Sequence, residues 1–168
     1  MTTLRVFSPT TIGALLFLVS FSCYALECDQ LEEAREEAIH GDANAQYLVG
    51  NAYYFGQCTI QDLDAAMYWF FRASENGSDD ANYSIGLAFN SGVGLMRNAK
   101  VATLFVSRAA RNQHQMAIVT LANWRILGFE NCDDIPKISK LLSDISDQEY
   151  LDYVEYDRLK DLQLACAE

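Results

Sequence analysis

The chain lacks the short motifs that mark common catalytic and metal-binding sites. It contains no HExxH, no GxSxG and no P-loop, and none of its five cysteines forms a CxxC pair. It has two histidines, and neither lies close in sequence to two cysteines. A zinc site needs several Cys or His ligands at short spacings, so this pattern argues against one. The sequence therefore predicts a protein without catalysis, cofactor or metal.

One long segment also lacks acidic residues, although the chain as a whole is strongly acidic. The 168 residues include 12 Lys and Arg against 23 Asp and Glu, for a net charge of −11. A field of this sign opposes nucleic-acid binding. Residues 81–129 contain no Asp or Glu but carry Arg97, Lys100, Arg108, Arg111 and Arg125. These cations are either solvated outer faces of helices or a basic belt that faces an acidic partner.

The apolar run at the N-terminus is too short for a spanning helix. A short basic start containing Arg5 precedes the run IGALLFLVSF at residues 12–21, and a small residue, Ala25, follows. This pattern predicts a secretory signal over residues 1–25 and a mature domain over residues 26–168. The alternative is a membrane anchor that is either uncleaved or lipidated. A lipidated anchor would use Cys23, but Ser20 stands where a lipoprotein signal has an aliphatic residue.

Cleavage after Ala25 would remove Arg5 and no acidic residue. The mature chain would then carry 11 basic and 23 acidic residues, a net charge of −12. We expect export to the periplasm or medium, with the bacterial envelope as the compartment, and no stable membrane span after cleavage. Four cysteines would remain: Cys28, Cys58, Cys132 and Cys166. An even number in an exported chain favours disulfides in one of three pairings, and four reduced buried thiols are the alternative.

The chain repeats itself when it is shifted by 36 residues. A period of about 20–50 residues signals stacked supersecondary units, none of which buries its apolar face alone. A hydrophobic content of 51% supplies one continuous core for a single domain. The superposed sets are Ala45, Ala81 and Ala117; Val49, Ile85 and Leu121; Gly50, Gly86 and Ala122; and Gly56, Gly92 and Gly128.

Helical spacing and stop signals predict the elements. We expect a capping helix over residues 29–39, helices over 43–55 and 63–75, and the same plan over 79–112. A third unit begins with a helix over 115–127, and then a shorter helix near Pro136 and a final helix over 147–166 close the stack. The first repeat helix should bury one stripe, formed by Ala45, Leu48, Val49, Ala52 and Tyr53.

Two further features of these helices carry predictions. Gly50 lies inside a predicted helix, where glycine costs about 1 kcal/mol against alanine, so we expect a neighbouring helix to approach closely there. The pairs Asp79-Asp80 and Asp133-Asp134 precede predicted helices, so we interpret them as helix caps and not as a catalytic acid and base.

The repeated pattern resembles the Sel-one-like repeat, a relative of the tetratricopeptide repeat. The resemblance implies an all-α fold, an α-solenoid of antiparallel helical hairpins with about three repeats and capping helices at both ends. It also implies binding of a protein or peptide and no chemistry. The matching residues are Ala45, Gly50, Tyr53, Gly56, Asp62, Ala66, Trp69, Arg72, Ala73 and Gly77, then Ala81, Gly86, Phe89, Gly92, Gly94, Asn98, Ala102, Phe105, Arg108, Ala109 and Ala110.

The chain departs from the repeat pattern at three positions. Cys58 stands where the second unit has Gly94, and Gln113 stands where the first unit has Gly77. Trp124 occupies a position that is alanine in both earlier units. Either the last helices pack around Trp124, or its ring is exposed as an anchor for a partner.

In tetratricopeptide-like stacks the first helix of each hairpin lines the concave side. By resemblance, this side binds the partner, and tyrosine and asparagine suit it because they combine contact area with hydrogen bonding. We therefore expect an exported adaptor or regulator. An inhibitor or immunity protein that neutralises an envelope-acting toxin is the alternative, and an enzyme acting on cell-wall polymer is a third. The expected contact residues are Tyr47, Asn51, Tyr54, Tyr83, Leu87, Asn90 and Asn123.

The same stack narrows the three cysteine pairings to one. Consecutive helices in it run antiparallel, so Cys28 at the start of the capping helix should lie beside Cys58, just after the first repeat helix. Cys166 at the end of the last helix should lie beside Cys132 by the same reasoning. We therefore predict the pairs Cys28 with Cys58 and Cys132 with Cys166, one at each end of the solenoid.

Overall fold

The computed structural model describes residues 28–128, 135–145 and 148–166, and all regular structure within them is helical. The predicted signal over residues 1–25 lies outside the described residues. The helices are α1 (28–39), α2 (Ala43–Phe55), α3 (Leu63–Glu75), α4 (Asp79–Ser91), α5 (Ala99–Arg111), α6 (Gln115–Leu127), α7 (Ile135–Ser143) and α8 (Tyr156–Ala165), with a 3₁₀ helix at Gln148–Tyr153 between the last two.

The helices begin at capping residues that follow the 36-residue period. The side chains of Asp42, Ser78 and His114 each accept a hydrogen bond from the backbone N–H three residues on, at the starts of α2, α4 and α6. Asp62 and Asn98 cap α3 and α5 in the same way. These caps satisfy backbone donors that a helix start leaves free, and they explain why five helices begin where the sequence predicted.

The interpretation of Asp79-Asp80 as the cap of α4 was wrong. Ser78 is the N-cap, and both aspartates lie in the first turn. There the carboxylates contact the connection between α5 and α6: Asp79 Oδ1 accepts from Asn112 at 2.8 Å, and Asp80 Oδ1 lies 3.2 Å from His114 Nε2. The second predicted pair, Asp133-Asp134, lies outside the described residues.

Neighbouring helices pack in pairs, and a glycine sets the separation within the first two pairs. A Cβ placed on Gly50 of α2 would lie 2.6 Å from the ring of Phe70 in α3. A Cβ on Gly86 of α4 would clash with Val106 of α5. The predicted close approach at Gly50 is therefore confirmed, and its period-related partner behaves in the same way.

The connection inside each hairpin is also repeated. Gly56 and Gly92 end α2 and α4 with φ values of +69° and +80°, a left-handed conformation that favours glycine. After each glycine the chain returns so that the N–H of the next helix's cap donates to a carbonyl of the preceding helix. These bonds are Asp62 to Tyr53 at 3.0 Å and Asn98 to Phe89 at 2.8 Å.

The core runs the length of the stack and is closed by helices at both ends. At the N-terminal end Leu31, Ala34 and Ala38 of α1 pack on α2, which confirms the capping helix. At the other end the 3₁₀ helix and α8 add to the α6 and α7 core. The prediction that Leu48 belongs to the buried stripe was wrong, since its side chain is 55% exposed. The equivalent residues one and two periods on are polar, Ser84 and Thr120, so this position faces away from the core.

The prediction of one final helix over residues 147–166 was also wrong. The chain instead forms the 3₁₀ helix Gln148–Tyr153 and then α8. The amide of Asn123 binds both sides of the break, donating to the carbonyl of Tyr153 at 2.7 Å and accepting from the N–H of Glu155 at 3.1 Å. Because these backbone groups bond to a side chain, they are not available to a continuous helix.

A disulfide closes the N-terminal end of the stack. Cys28 at the start of α1 is bonded to Cys58 in the loop after α2, as predicted, and the two are 30 residues apart in sequence. Cys166 is also disulfide-bonded. Its pairing with Cys132 stays a prediction, because Cys132 lies outside the described residues.

Candidate protein-binding surface

The residues expected to contact a partner form rows on the first helices of successive hairpins. Tyr47, Asn51 and Tyr54 are spaced by four and three residues on α2, so they lie on one helical face. The same face of α4 and α6 carries the residues one and two periods on. We call the set the first-helix face, and it consists of Tyr47, Asn51, Tyr54, Tyr83, Leu87, Asn90 and Asn123.

Two tyrosines of this face are held by aromatic packing. The rings of Tyr47 and Tyr54 lie 5.7 and 6.2 Å from the ring of Phe70, which is buried between α2 and α3. Tyr54 also meets Phe55 edge-on at 4.9 Å. Both tyrosines remain half-buried. Rings that are fixed before binding lose little conformational entropy when a partner covers them.

Tyr83 joins two repeats. Its hydroxyl lies 3.1 Å from the hydroxyl of Thr120 on α6, and its ring lies 4.9 Å from the ring of His114. A tyrosine hydroxyl has one donor and two acceptor sites, so this bond leaves capacity for another. The contact fixes the ring at the boundary between α4 and α6.

Leu87 is the most accessible residue of the face. Leu87 is 38% exposed, and Asn51 and Asn90 are half-buried. Among the hydrogen bonds of residues 28–128, 135–145 and 148–166, none uses the side-chain amide of Asn51 or Asn90. These two amides therefore retain both donors and acceptor for an incoming chain.

Asn123 does not fit the expected role. Both ends of its amide are occupied by the backbone of Tyr153 and Glu155. The structure thus assigns Asn123 to holding the C-terminal cap against α6. The period places it correctly on the first-helix face, but the last helices have no counterpart earlier in the chain, so a sequence comparison between repeats could not reveal this bond.

The five cations of the basic belt are all exposed, but the structure does not gather them on one surface. Arg108 lies over the ring of Phe105, with 5.6 Å from its Cζ to the centroid. Arg111 and Arg125 instead line a cleft together with Lys137 and Lys140. Sequence reasoning missed these two lysines, although their spacing of three residues on a helix was a signal that they share a face.

Trp124 is half-buried and packs against the apolar cluster of Val106, Ala109, Ala117 and Leu121. This cluster is formed by α5 and α6, so the structure favours packing of the ring inside the stack over an exposed anchor. In the described ranges no helix is long and apolar enough to cross a membrane. The same ranges hold no group of His, Cys, Asp and Glu that could bind a metal ion.

Paired helices with a continuous core, repeated caps and repeated glycine contacts define the class of protein, an α-solenoid of helical hairpins. The family model of the Sel1 repeat matches residues 43–78 and 79–114. The chain therefore contains two Sel1 repeats, α2 with α3 and α4 with α5. The predicted resemblance is confirmed, and α6 with α7 forms a third, divergent pair.

Solved structures show the same fold. The structure of c5321, described as a protective antigen present in uropathogenic Escherichia coli strains displaying an SLR fold, is 25% identical with a TM-score of 0.65, over 82% of this chain and 32% of that one. A Sel1 repeat protein from Oxalobacter formigenes is 17% identical with a TM-score of 0.66, over 83% of this chain and 63% of that one. This chain thus spans about a third of the first and less than two thirds of the second. No curated protein sequence matches it.

Proposed function

We propose that the protein is an exported helical-repeat scaffold that binds another protein through the first-helix face. The observation that carries the proposal is that the same three positions of α2 and α4 carry contact residues, Tyr47, Asn51 and Tyr54 on α2 and Tyr83, Leu87 and Asn90 on α4. Sel1 repeats generally act as protein-interaction scaffolds, which supports a protein as the ligand.

The chemistry of the face suits a polypeptide. The fixed rings of Tyr47, Tyr54 and Tyr83 supply area, and Leu87 adds an exposed apolar contact between them. The amides of Asn51 and Asn90 can donate to and accept from a peptide backbone. Protein interfaces combine these elements, an apolar centre with hydrogen-bonding groups around it.

Three points support export. The Cys28–Cys58 disulfide is of the kind that persists in oxidising compartments. The predicted signal over residues 1–25 would direct the chain there. A protein of the same fold is described as a protective antigen of a bacterial pathogen, which agrees with a place in the bacterial envelope.

The test is affinity capture from the native envelope with variants that spare the packed rings. Asn51→Glu with Leu87→Glu places two charges at the centre of the face. Tyr68→Glu with Leu104→Glu is the matched control, because these residues are 58% and 56% exposed at equivalent positions of the second helices. We expect the control to retain the partner captured by the wild-type protein and the Asn51 and Leu87 variant to lose it.

A photo-crosslinking amino acid at position 87 or 104 gives a second measurement on the folded chain. The proposal predicts a crosslinked partner from position 87 and none from position 104. Equal recovery by both double variants, together with crosslinks from both positions, would show that the first-helix face is not the binding surface.

A further inference from the structure

A cleft of about 460 Å³ lies between α5, α6 and α7. Its polar lining is mostly cationic: Arg111 comes from the end of α5, Arg125 from α6, and Lys137 and Lys140 from α7. All four side chains are exposed to solvent. Lys137 and Lys140 stand one period after Val101 and Leu104, so α7 carries two cations where the second helix of the preceding repeat has apolar residues.

Three cations of the cleft, Arg111, Arg125 and Lys140, are not neutralised by carboxylates of the described residues. Among the described residues that line the cleft, Asp144 is the one acidic residue, against four cations. No ion pair among the described residues uses Arg111, Arg125 or Lys140. A chain with a net charge of −11 therefore presents a concentrated positive site.

The base of the cleft is apolar. Ile118 and Leu121 of α6 line it and are 1% and 5% exposed, and Leu141 of α7 joins them. An occupant would therefore gain from anionic groups near the rim and from an apolar group at the base. Inorganic anions offer only the first of these.

The cleft and the first-helix face lie on opposite sides of α6. At 100° per residue, Ile118, Leu121 and Arg125 are about 140–160° around the helix from Asn123. The two surfaces share no residue, so one can be altered while the other is left intact.

We propose that this cleft docks a short acidic segment of a protein partner. Carboxylates of the segment would meet the guanidinium groups of Arg111 and Arg125, which can bind them in a bidentate manner, and Lys140 would add a third charge. An apolar side chain of the segment would lie on Ile118 and Leu121. The volume is within the range of about 300–1,000 Å³ that binding pockets occupy.

The charge of the rest of the molecule limits the length of the occupant. The Debye length is about 10 Å at 0.1 M salt, so a short segment interacts mainly with the cleft. A long polyanion or an anionic membrane would extend beyond the cleft and past the basic segment 81–129, and it would be repelled by the rest of a chain whose net charge is −11. A short acidic peptide therefore fits the charges better than nucleic acid or lipid.

The experiment measures binding of fluorescein-labelled peptides to the full mature chain by fluorescence anisotropy. The probe is an eight-residue peptide of Asp and Glu with one central Leu, and its matched control replaces each acid by Asn or Gln. We expect binding of the acidic peptide that weakens as salt is raised. The amide peptide should bind at least about tenfold more weakly, since no charged pairs form.

Two double variants with the same change in net charge locate the site. Arg111→Glu with Arg125→Glu should weaken binding of the acidic peptide by at least about tenfold. Arg97→Glu with Lys100→Glu, on exposed residues outside the cleft, should change it by less than about threefold, as expected for a screened long-range effect. Circular dichroism checks folding, and if the first variant unfolds, Lys140→Glu takes its place with the same expected direction.

Several outcomes would overturn the proposal. Equal losses in the two double variants would mean that the peptide responds only to net charge. Equal binding of the amide peptide would mean that the cleft does not select carboxylates. Tighter binding of phosphatidylglycerol vesicles or of single-stranded DNA would identify a different polyanion. The Asn51→Glu, Leu87→Glu variant should bind the acidic peptide as the wild type does, so a failure of the proposed first-helix face would not affect this result.

Discussion

Two residues adopt a backbone conformation that glycine occupies elsewhere in the same stack. Cys58 and Gln113 have φ values of +56° and +67°, and the residues related to them by the period, Gly94 and Gly77, have +70° and +94°. A left-handed conformation costs an L residue roughly 1–2 kcal/mol. At Cys58 the disulfide requires the side chain, whereas at Gln113 the side chain is exposed and nothing comparable holds it there.

Replacing Gln113 by glycine should therefore stabilise the protein. Relief of the left-handed strain exceeds the added entropy of glycine in the unfolded chain, and we expect a gain of about 0.5–1 kcal/mol in the free energy of unfolding. Urea denaturation measures the difference. Gln57→Gly is the control, because Gln57 is also exposed but does not have a positive φ, so this change should lower stability. Equal effects of the two changes would contradict the strain argument.

His114 is a helix cap, and its ring performs the function that hydroxyl and carboxylate oxygens perform in the other repeats. Its Nδ1 accepts from Ala117 N at 3.1 Å. His114→Ala should lower the free energy of unfolding by about 1 kcal/mol, the usual cost of a lost cap. His114→Ser should lose less, because Ser78 caps α4 at the equivalent position. Thermal denaturation of both variants gives the order, and equal losses would mean that the contacts of the ring with Tyr83 and Asp80 matter more than the cap.

At the scale of the element, the repeats are joined by buried amides as well as by apolar contacts. Gln46 is fully buried in α2, donates to the carbonyl of Ala38 at 2.9 Å, and accepts from the amide of Asn76 at 2.8 Å. Asn82, one period on, is bonded to Ser74 at 2.7 Å and to the carbonyl of Ser78 at 3.0 Å. Each amide thus ties a first helix to the helix or loop before it.

Gln46→Leu tests how much the hydrogen bonds of this buried amide contribute to stability. Leucine is more apolar, but it would remove both side-chain hydrogen bonds of Gln46. The carbonyl of Ala38 would keep only the N–H of Gly41, and the amide of Asn76 would lose its acceptor, so we expect a loss of about 1–3 kcal/mol in the free energy of unfolding. Asn44→Leu, on the exposed side of the same helix, should stay within about 0.5 kcal/mol of the wild type. Chemical denaturation measures the free energy of unfolding of both variants. A stabilised Gln46→Leu would show that burial of apolar area outweighs the lost hydrogen bonds.

The bounds of α2 to α6 could be predicted from the sequence because local signals agree there. A capping side chain, an apolar stripe and a stop at the end of the helix recur with the period, and each acts within a few residues. The break between the 3₁₀ helix and α8 could not be predicted, because it depends on Asn123, about 30 residues away. The exposure of Leu48 was missed for a different reason, since leucine fits the apolar pattern and only its polar counterparts, Ser84 and Thr120, indicate otherwise.

The two candidate sites also differ in how far the sequence predicts them. The first-helix face follows from the period together with the resemblance to tetratricopeptide-like stacks, so all seven of its residues could be placed on the first helices from the sequence. The cationic cleft needs the position of α7, which departs from the repeat. Arg111 and Arg125 were visible as part of a basic segment, but their meeting with Lys137 and Lys140 is a tertiary contact. The repeat pattern does not show which side chains of α5 and α6 lie near those of α7.

At the scale of the whole molecule, a stack of hairpins is stabilised by contacts between neighbours, so its ends are its weakest parts. The first hairpin has α1 as its outer neighbour, and α1 is attached through Leu31, Ala34, Ala38 and the disulfide. The outer surface of α1 is acidic and exposed, with Glu32, Glu33, Glu36 and Glu37. Like charges on one short helix repel each other and weaken it, which makes the covalent link to α2 important for this end.

Removing the disulfide should therefore destabilise one end of the molecule more than the other. Cys28→Ser with Cys58→Ser opens a loop defined by a sequence separation of 30, which in the chain-entropy model costs about 3–4 kcal/mol. Hydrogen exchange of the backbone amides measures the loss of protection at each helix. We expect faster exchange in α1 and α2, where the link acts, and a smaller change in α5 and α6, which are separated from it by α3 and α4. A uniform loss of protection would mean instead that the stack unfolds as a single cooperative unit, in which case an end link stabilises every repeat equally.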